Sequence, residues 1–411
     1  MKRVVVTGLG VVSPLGCEVE QLFQNLLDGK SGVGPIESFD AQNHPTKIAA
    51  EVKEIPLDGI IEPKEKKKHD RFSQFSMVAA SQAIEQSGLM DSDFDPETVG
   101  IYLGSGIGGI HTLESTAKSY EKRGARGVSP FFISNLISNM GGGNIAIKYG
   151  FRGTNFCMVS ACATGTHCLG EGYREIKMGR HDVMIVGGAE SAITPITVAG
   201  FSNMKAMSRR NENPQEASCP YDRRRDGFVM GEGAGVLVLE SLEHAQKRGA
   251  VILAEVIGYG STCDAHHITA VAPGGEGVAR ATRMALKDAR INEQEVDYVN
   301  SHGTSTLIGD KFETEFLKTV FKDHAQNLWI SSSKSMIGHL LGAAGGVESV
   351  VSVMSLMKGK VHLTRNLEEP DPECDLDFVA GASREKPLKV VLKNSMGFGG
   401  QNAAVLFRRF D

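Results

Sequence analysis

The stretch Val159-Ser160-Ala161-Cys162-Ala163-Thr164-Gly165 sets one cysteine among small residues. It follows the apolar run Phe156 to Val159 and precedes a segment, Thr166 to Met178, that reads as helix. A strand ending at Cys162 with a helix behind it puts the sulfur at a helix N-terminus, where free N–H groups and the helix dipole favour an anion. The expectation is a lowered thiol pKa and a nucleophilic cysteine, with Ala161, Ala163 and Gly165 leaving room for a substrate. The competing reading is a buried cysteine serving as a small hydrophobe, the usual fate of a free thiol. Cys157 and Cys168 take that second reading.

Two histidines stand in comparable settings. Asn300-Ser301-His302-Gly303-Thr304-Ser305-Thr306 carries His302 at a strand end, and Ser333-Lys334-Ser335-Met336-Ile337-Gly338-His339 carries His339 beside a glycine at a strand-to-helix junction. A lone histidine is more often a satisfied polar residue than a catalyst. A pair of them, with one reactive-looking cysteine, is harder to assign to structure alone.

The elements that must position these residues are short apolar runs ending in glycine-rich turns and leading into amphipathic segments. Arg3 to Gly8, Val99 to Gly104, Asp182 to Gly188, Val296 to Ser301, Trp329 to Ser333 and Val390 to Asn394 read as strands, and Lys311 to Phe321 as helix. Strands alternating with helices predict an α/β architecture with helix-covered sheets. The Cys162 strand–helix unit is analogous in pattern to the unit around His302, which leaves a duplicated unit open; the chain divides into 1–250 and 251–411 with a soft boundary at Gly249 to Glu255. No low-complexity linker separates them.

Composition bounds the function. The 411 residues are 41% hydrophobic, enough for one large or two ordinary cores. A net charge of −5 gives no global attraction to nucleic acid or anionic lipid, so an acidic partner must be met by a local patch. The seven cysteines are scattered without a CxxC pair, which predicts neither zinc nor redox exchange and suits a reducing cytoplasm. Thr7, Gly8, Gly10 and Pro14 break up the N-terminal apolar run, so no signal peptide is expected. The run Val347 to Met357 carries Glu348 and is too short to span a bilayer. Thr7-Gly8-Leu9-Gly10 lacks the third glycine of a dinucleotide fingerprint, and Gly397-Phe398-Gly399-Gly400 lacks the lysine and helix of a phosphate loop. The latter reads as a backbone oxyanion turn, and the former argues against NAD.

Taken in order, SACATG, NSHGTST, SSKSMIGHLLGAAGG and NSMGFGGQN resemble the β-ketoacyl-acyl-carrier-protein synthases, the likeness running from Arg3 to the final strand and lying nearest the type II elongating enzymes. The resemblance implies a thiolase-like fold, a duplicated five-layer α-β-α-β-α arrangement usually built as a homodimer. It implies a decarboxylative condensation of malonyl-carrier thioester with a cysteine-bound acyl chain, and no cofactor. Cys162 matches the nucleophile, His302 and His339 the catalytic histidines, and Lys334 the lysine of the SSxKS motif. The backbone N–H groups of Cys162 and Phe398 match the oxyanion donors. Thr304 and Thr306 match positions that bond the carrier's phosphopantetheine arm, and Ile107 and Phe398 match residues lining or gating the acyl pocket. Glu348 matches a carboxylate organised around a buried charge or a monovalent cation.

Lys64, Lys66, Lys67, Lys68 and Arg71 form a basic cluster on an acidic chain. Read alone it is a solvated helix face; the resemblance, with Lys205 added, makes it a docking patch for an acidic acyl carrier protein. Asp222-Arg223-Arg224-Arg225-Asp226 is charge-balanced and reads as structural pairing. Ile337, Gln401 and the pair Leu307-Ile308 depart from the family pattern beside the pantetheine route and the site rim, which leaves chain-length preference and inhibitor affinity open. A thiolase would need a second cysteine at the NSMGFGG end, an initiating synthase carries Asn where His339 stands, and a silent chain-length factor lacks the nucleophile. Type I and polyketide-type ketosynthases stay open as alternatives.

Overall fold

Nine consecutive residues, Val4–Val12 (β1), are buried on both faces, and Gly8 and Gly10 among them show why. A Cβ at Gly8 would stand 2.0 Å from the Ala83 carbonyl oxygen, and one at Gly10 1.8 Å from that of Ala79. The helix Arg71–Ser87 (α1) therefore lies directly on the strand, so the TGLG run is a packing device and not a nucleotide loop. Asp70 caps α1 by accepting the Phe72 N–H, and Gly88 closes it in the left-handed region. The computed structural model describes residues 1–410.

Four further strands complete the first half: Val99–Gly104 (β2), Asn155–Phe156 (β3), Val183–Glu190 (β4) and Gly233–Ser241 (β5). The second half holds Ala254–Cys263 (β6), Tyr298–Asn300 (β7), Trp329–Ser331 (β8), Val390–Gly397 (β9) and Gln401–Arg408 (β10). The ten strands run β8-β7-β9-β10-β6-β1-β5-β4-β2-β3. On each side of the β6/β1 seam the pairings repeat as mirror images. From either outer edge two parallel pairs are followed by two antiparallel ones. The seam itself holds only Val4↔Val256, Val5↔Glu255 and Val6↔Ala254.

The two halves meet through the helices Thr164–Lys177 (α2) and Ala344–Lys358 (α5), which touch each other and strands of both halves. Every residue of α5 from Ala344 to Leu356 is buried, as expected of a helix covered all round. Outside, α1 covers the first half, while Glu276–Ala289 (α3) lies on β6 and β10 and Leu307–Phe321 (α4) packs beside α3. The result is the layered α-β-α-β-α order of a thiolase-like fold, with the Cys162 and His339 segments leading into its central helices.

The half-to-half correspondence differs from the one read in the sequence. In sheet order β3 answers to β8, and β2 to β7. The segment matching the Cys162 turn is thus the one after β8, which carries His339, while His302 follows the counterpart of β2. Local geometry repeats in the same way. Ala161 and Leu341 both take φ of +49°, each opens one 3-10 turn, and α2 and α5 start directly behind.

Candidate active site

The strand expected to reach Cys162 stops at Phe156; residues 157–160 are irregular, and Cys162 sits in the 3-10 turn Ala161–Ala163. A positive φ at an alanine is strained and persists only where the surroundings hold it. Thr164 Oγ1 accepts the Ser160 N–H at 2.9 Å, closing the turn. Ala163 is buried, and Gly165 faces α5 rather than a substrate: a Cβ there would lie 2.6 Å from the Gly346 nitrogen. These small residues let two helix starts meet backbone to backbone.

Cys162 is 8% exposed, and its thiol is pushed up to about 12. The lowered value expected at a helix start is overturned because burial costs the thiolate more than the Lys334 charge and the Phe398 N–H at the sulfur return. The Gly397–Gly400 turn between β9 and β10 lies close against the nucleophile. A Cβ at Gly397 would stand 2.6 Å from the Ser160 oxygen and 3.4 Å from the Cys162 nitrogen.

Cys162, His302 and His339 open on one cavity of about 410 Å³. Thr304, Thr306 and Phe398 line it too, with Phe201, Phe228, Leu341 and Met396 as apolar wall. A larger surface depression of about 770 Å³, edged by Arg3, Lys177, Glu255 and Asp288, holds none of the motif residues. The two imidazoles meet edge to face, centroids 5.4 Å apart. His339 Nδ1 accepts the Leu341 N–H at 3.2 Å, which leaves the proton of the neutral ring on Nε2. Burial first, and the Lys334 and Lys393 charges next, hold both rings well below the ordinary histidine value; for His302, His339 adds to the effect. Both are therefore neutral donors at pH 7. The Thr304 and Thr306 hydroxyls are 3.0 Å apart.

Several positioning residues escaped the sequence reading. Glu313 of α4 accepts the backbone N–H groups of His302 at 2.7 Å and Gly303 at 2.6 Å, and Asp310 those of Thr304 and Ser305. Asp310 is raised to about 7, chiefly by burial. Two acids spaced i, i+3 on a buried helix face were the available signal. Glu190, at the end of β4, gathers Ser105 Oγ, the N–H groups of Gly106 and Ile107, and that of Gly342 from the other half. Lys334 is 1% exposed and paired with the equally buried Glu348, whose second oxygen lies 2.8 Å from Lys393.

Residues 1–245 match the Beta-ketoacyl synthase N-terminal domain and residues 253–368 its C-terminal domain. The chain belongs to the β-ketoacyl synthase family. A 3-oxoacyl-[acyl-carrier-protein] synthase 2 of Coxiella burnetii is 48% identical over 411 residues, and that of Synechocystis sp. 46% over 410, each alignment covering all of this chain and 99% of the relative. Two solved structures cover the synthase fully, with all of their own chains, at a TM-score of 0.93. One, 34% identical, is a ketosynthase in complex with its type II polyketide acyl-carrier protein and bound to the hexaketide. The other, 32% identical, is a β-ketoacyl synthase from Burkholderia phymatum.

Not every expected site residue reaches the synthase's cavity. Ile107 is absent from the wall and 36% exposed, because Glu190 holds its backbone in the loop before the next helix. Ile337 is buried in the main core and absent from the cavity wall. Leu307 and Ile308 do stand at the rim, more than half exposed, with exposed Lys205 beside them. The basic cluster is a 3-10 turn, Lys66–Lys68, and not a helix face. Lys64, Lys66 and Lys67 are exposed there, and Lys68 pairs with Glu65. Arg71 drops out as a docking residue: it bridges Glu232 at 2.7 Å, bonds the Val52 carbonyl and stacks on Phe75. The Asp222–Asp226 run is internal pairing, as expected, with Arg224 on Asp222 and buried Arg225 on Asp371.

The residues around Glu348 do not fit a monovalent cation. Each carboxylate oxygen already faces an ammonium group, so a further positive charge there would meet two like charges in a buried site.

Proposed function

We propose that this synthase condenses malonyl units with acyl chains, both presented as thioesters of an acyl carrier protein, in dissociated fatty-acid elongation. The observation that carries the reading is the single cavity shared by Cys162 and two neutral histidines. Cys162 Sγ attacks the acyl thioester carbon, and the tetrahedral oxygen is held by the Cys162 and Phe398 N–H groups. The C–S bond to the pantetheine breaks, and the cysteine's proton leaves with the departing thiol. With a thiol at about 12, proton loss accompanies attack rather than preceding it. Malonyl thioester then sheds carbon dioxide, and its electron pair moves onto the thioester oxygen as an enolate. Imidazole N–H groups of His302 and His339 hold that oxygen. The enolate carbon attacks the acyl carbon on Cys162, the C–S bond breaks with its electron pair on sulfur, and the departing thiolate takes a proton from solvent to restore the thiol.

The carrier protein is supported by the ketosynthase relative whose structure includes one, and by exposed Lys64, Lys66, Lys67 and Lys205. A homodimer is supported by β3, an edge strand with exposed Phe156 and Val159 beside it, and by exposed Ile147. Seven free cysteines favour a reducing cytoplasm, and among the described residues no helix is long and apolar enough to cross a membrane. A polyketide ketosynthase is the second reading, favoured by the carrier-bound structural relative at 34% identity.

The test is a labelled acyl-carrier thioester followed by peptide mapping. Cys162→Ala abolishes labelling and condensation, Cys162→Gln keeps malonyl decarboxylation, and His302→Ala or His339→Ala slows that decarboxylation roughly 10²-fold or more. Label on Cys157 or Cys168, or equal loss of both half-reactions in the histidine variants, overturns the assignment.

A further inference from the structure

Lys393 has no part in the steps above, yet its side chain is wholly buried in the middle of β9. A lysine without partners there would be strongly destabilising. Its Nζ lies 2.8 Å from Glu348 Oε2 and donates to the Asn394 carbonyl. Asn300 is its register partner on the neighbouring parallel strand, so the two side chains share one face of the sheet. Asn300 Oδ1 is buried there without a hydrogen-bond partner. A carboxylate, a main-chain carbonyl and an orphaned amide oxygen make an all-oxygen donor set of the kind that suits a hard cation. The ammonium stands against the first two, on the sheet face it shares with Asn300.

We propose that Lys393 is a tethered cation, filling the place a free monovalent ion would take against Glu348, fixing that carboxylate beneath Lys334 and adding positive charge behind the histidine pair. Lys393 is thus a positioning residue, and the site needs no free potassium or sodium. Two ammonium groups against the one Glu348 carboxylate leave an excess of positive charge facing His302 and His339. Of the other groups near, Glu313 acts from α4 and is satisfied by backbone N–H groups, and neutral His362 faces Glu348. Added to burial, which is the larger effect, the excess helps keep both catalytic imidazoles neutral and favours negative charge forming on a bound thioester. Burial draws Lys393 down only to about 8, so it is charged at neutral pH.

The experiment compares the full-length protein with Lys393→Met and Lys393→Ser in buffers whose monovalent cation is potassium, sodium or N-methylglucamine. Melting temperature and the pH profile of malonyl-thioester decarboxylation are read. Only the second rests on the proposed condensing activity, so the melting result stands if that reading fails. The unmodified protein melts at one temperature in all three buffers. Lys393→Ser melts several degrees lower in N-methylglucamine and recovers, saturably, in potassium or sodium, while Lys393→Met, which keeps the bulk and drops the charge, gains nothing from either. With a positive charge gone the histidines protonate more readily, so the acid limb in Lys393→Met moves upward by about one pH unit and the plateau rate falls roughly tenfold. Saturable stabilisation of the unmodified protein by potassium or sodium overturns the proposal. So does a folded Lys393→Ser without cation response, or an unmoved acid limb in Lys393→Met, the outcome for a lysine that serves packing alone. If neither variant folds, the cation comparison on the unmodified protein decides.

Discussion

Gly397→Ala tests whether the β9–β10 turn and the cysteine turn are built as one piece. The added Cβ would lie 2.6 Å from the Ser160 carbonyl oxygen and 3.3 Å from the Ala163 nitrogen. Ordinary contact begins near 3.4 Å, so the two backbones must part by about 0.8 Å. Neither neighbour is the end of a flexible side chain, and the whole displacement falls between Phe398 and Cys162. An oxyanion donor works at about 2.7–3.1 Å, so a shift of that size removes the Phe398 N–H from the hole. Losing one donor costs roughly 10²–10³ in rate, about 2.7–4 kcal/mol. Overpacking adds about 1–3 kcal/mol of destabilisation, visible as a lower melting temperature. Rapid-quench measurement of Cys162 acylation should show the loss, while malonyl decarboxylation, held by the histidines, should stay within a few-fold of the unmodified rate. Gly200→Ala is the control, since a Cβ there meets nothing within 4 Å. Acylation by Gly397→Ala at the unmodified rate would refute the joint construction of the oxyanion hole.

Stability should fall as the medium is acidified. His302, His339, His167 and His362 are all held low chiefly by burial, the last two at about 4. Below about pH 6.5 the unfolded chain therefore binds protons that the folded one refuses, at up to ~1.4 kcal/mol per pH unit per histidine, so calorimetric melting temperature should drop from pH 6.5 toward 4. Asp310, at about 7, and Glu190, also raised by burial, oppose this, since each favours the folded state as pH falls. A flat melting temperature between pH 6.5 and 5 would remove the case for buried neutral imidazoles. On the surface, Lys66→Glu with Lys67→Glu should raise KM for a carrier-linked acyl substrate several-fold and leave a pantetheine mimic unaffected. That difference should fade as salt rises from 0.1 to 1 M and the screening length shrinks from about 10 to about 3 Å; an unchanged KM at low salt returns the cluster to a solvated turn.

What was local was legible in the sequence. Val99–Gly104 appeared as a strand with its observed bounds, since an apolar run closed by glycine carries its own signal. Cys162, His302 and His339 were legible as motif residues because small residues or glycine stand beside them, which chemistry at a backbone turn requires, whereas Lys334 came only with the family resemblance. The strand expected to reach Cys162 was not there, because Cys157 to Ser160 are apolar or small without pairing beyond Phe156. Whatever depended on tertiary packing was hidden. Glu190 joins residues 105–107 to Gly342, Glu313 and Asp310 hold the His302 loop from a helix, and Lys393 meets Glu348 across the central layer. Each is a charge whose partner is set by packing and not by spacing along the chain. The same holds for the Cys162 thiol: a helix start by itself predicts a lowered pKa, but only the tertiary structure decides how much water is removed from the sulfur. Here desolvation outweighs the favourable field. The sequence by itself determined which groups could react; tertiary packing decided their ionisation, their shared cavity and the charges behind them.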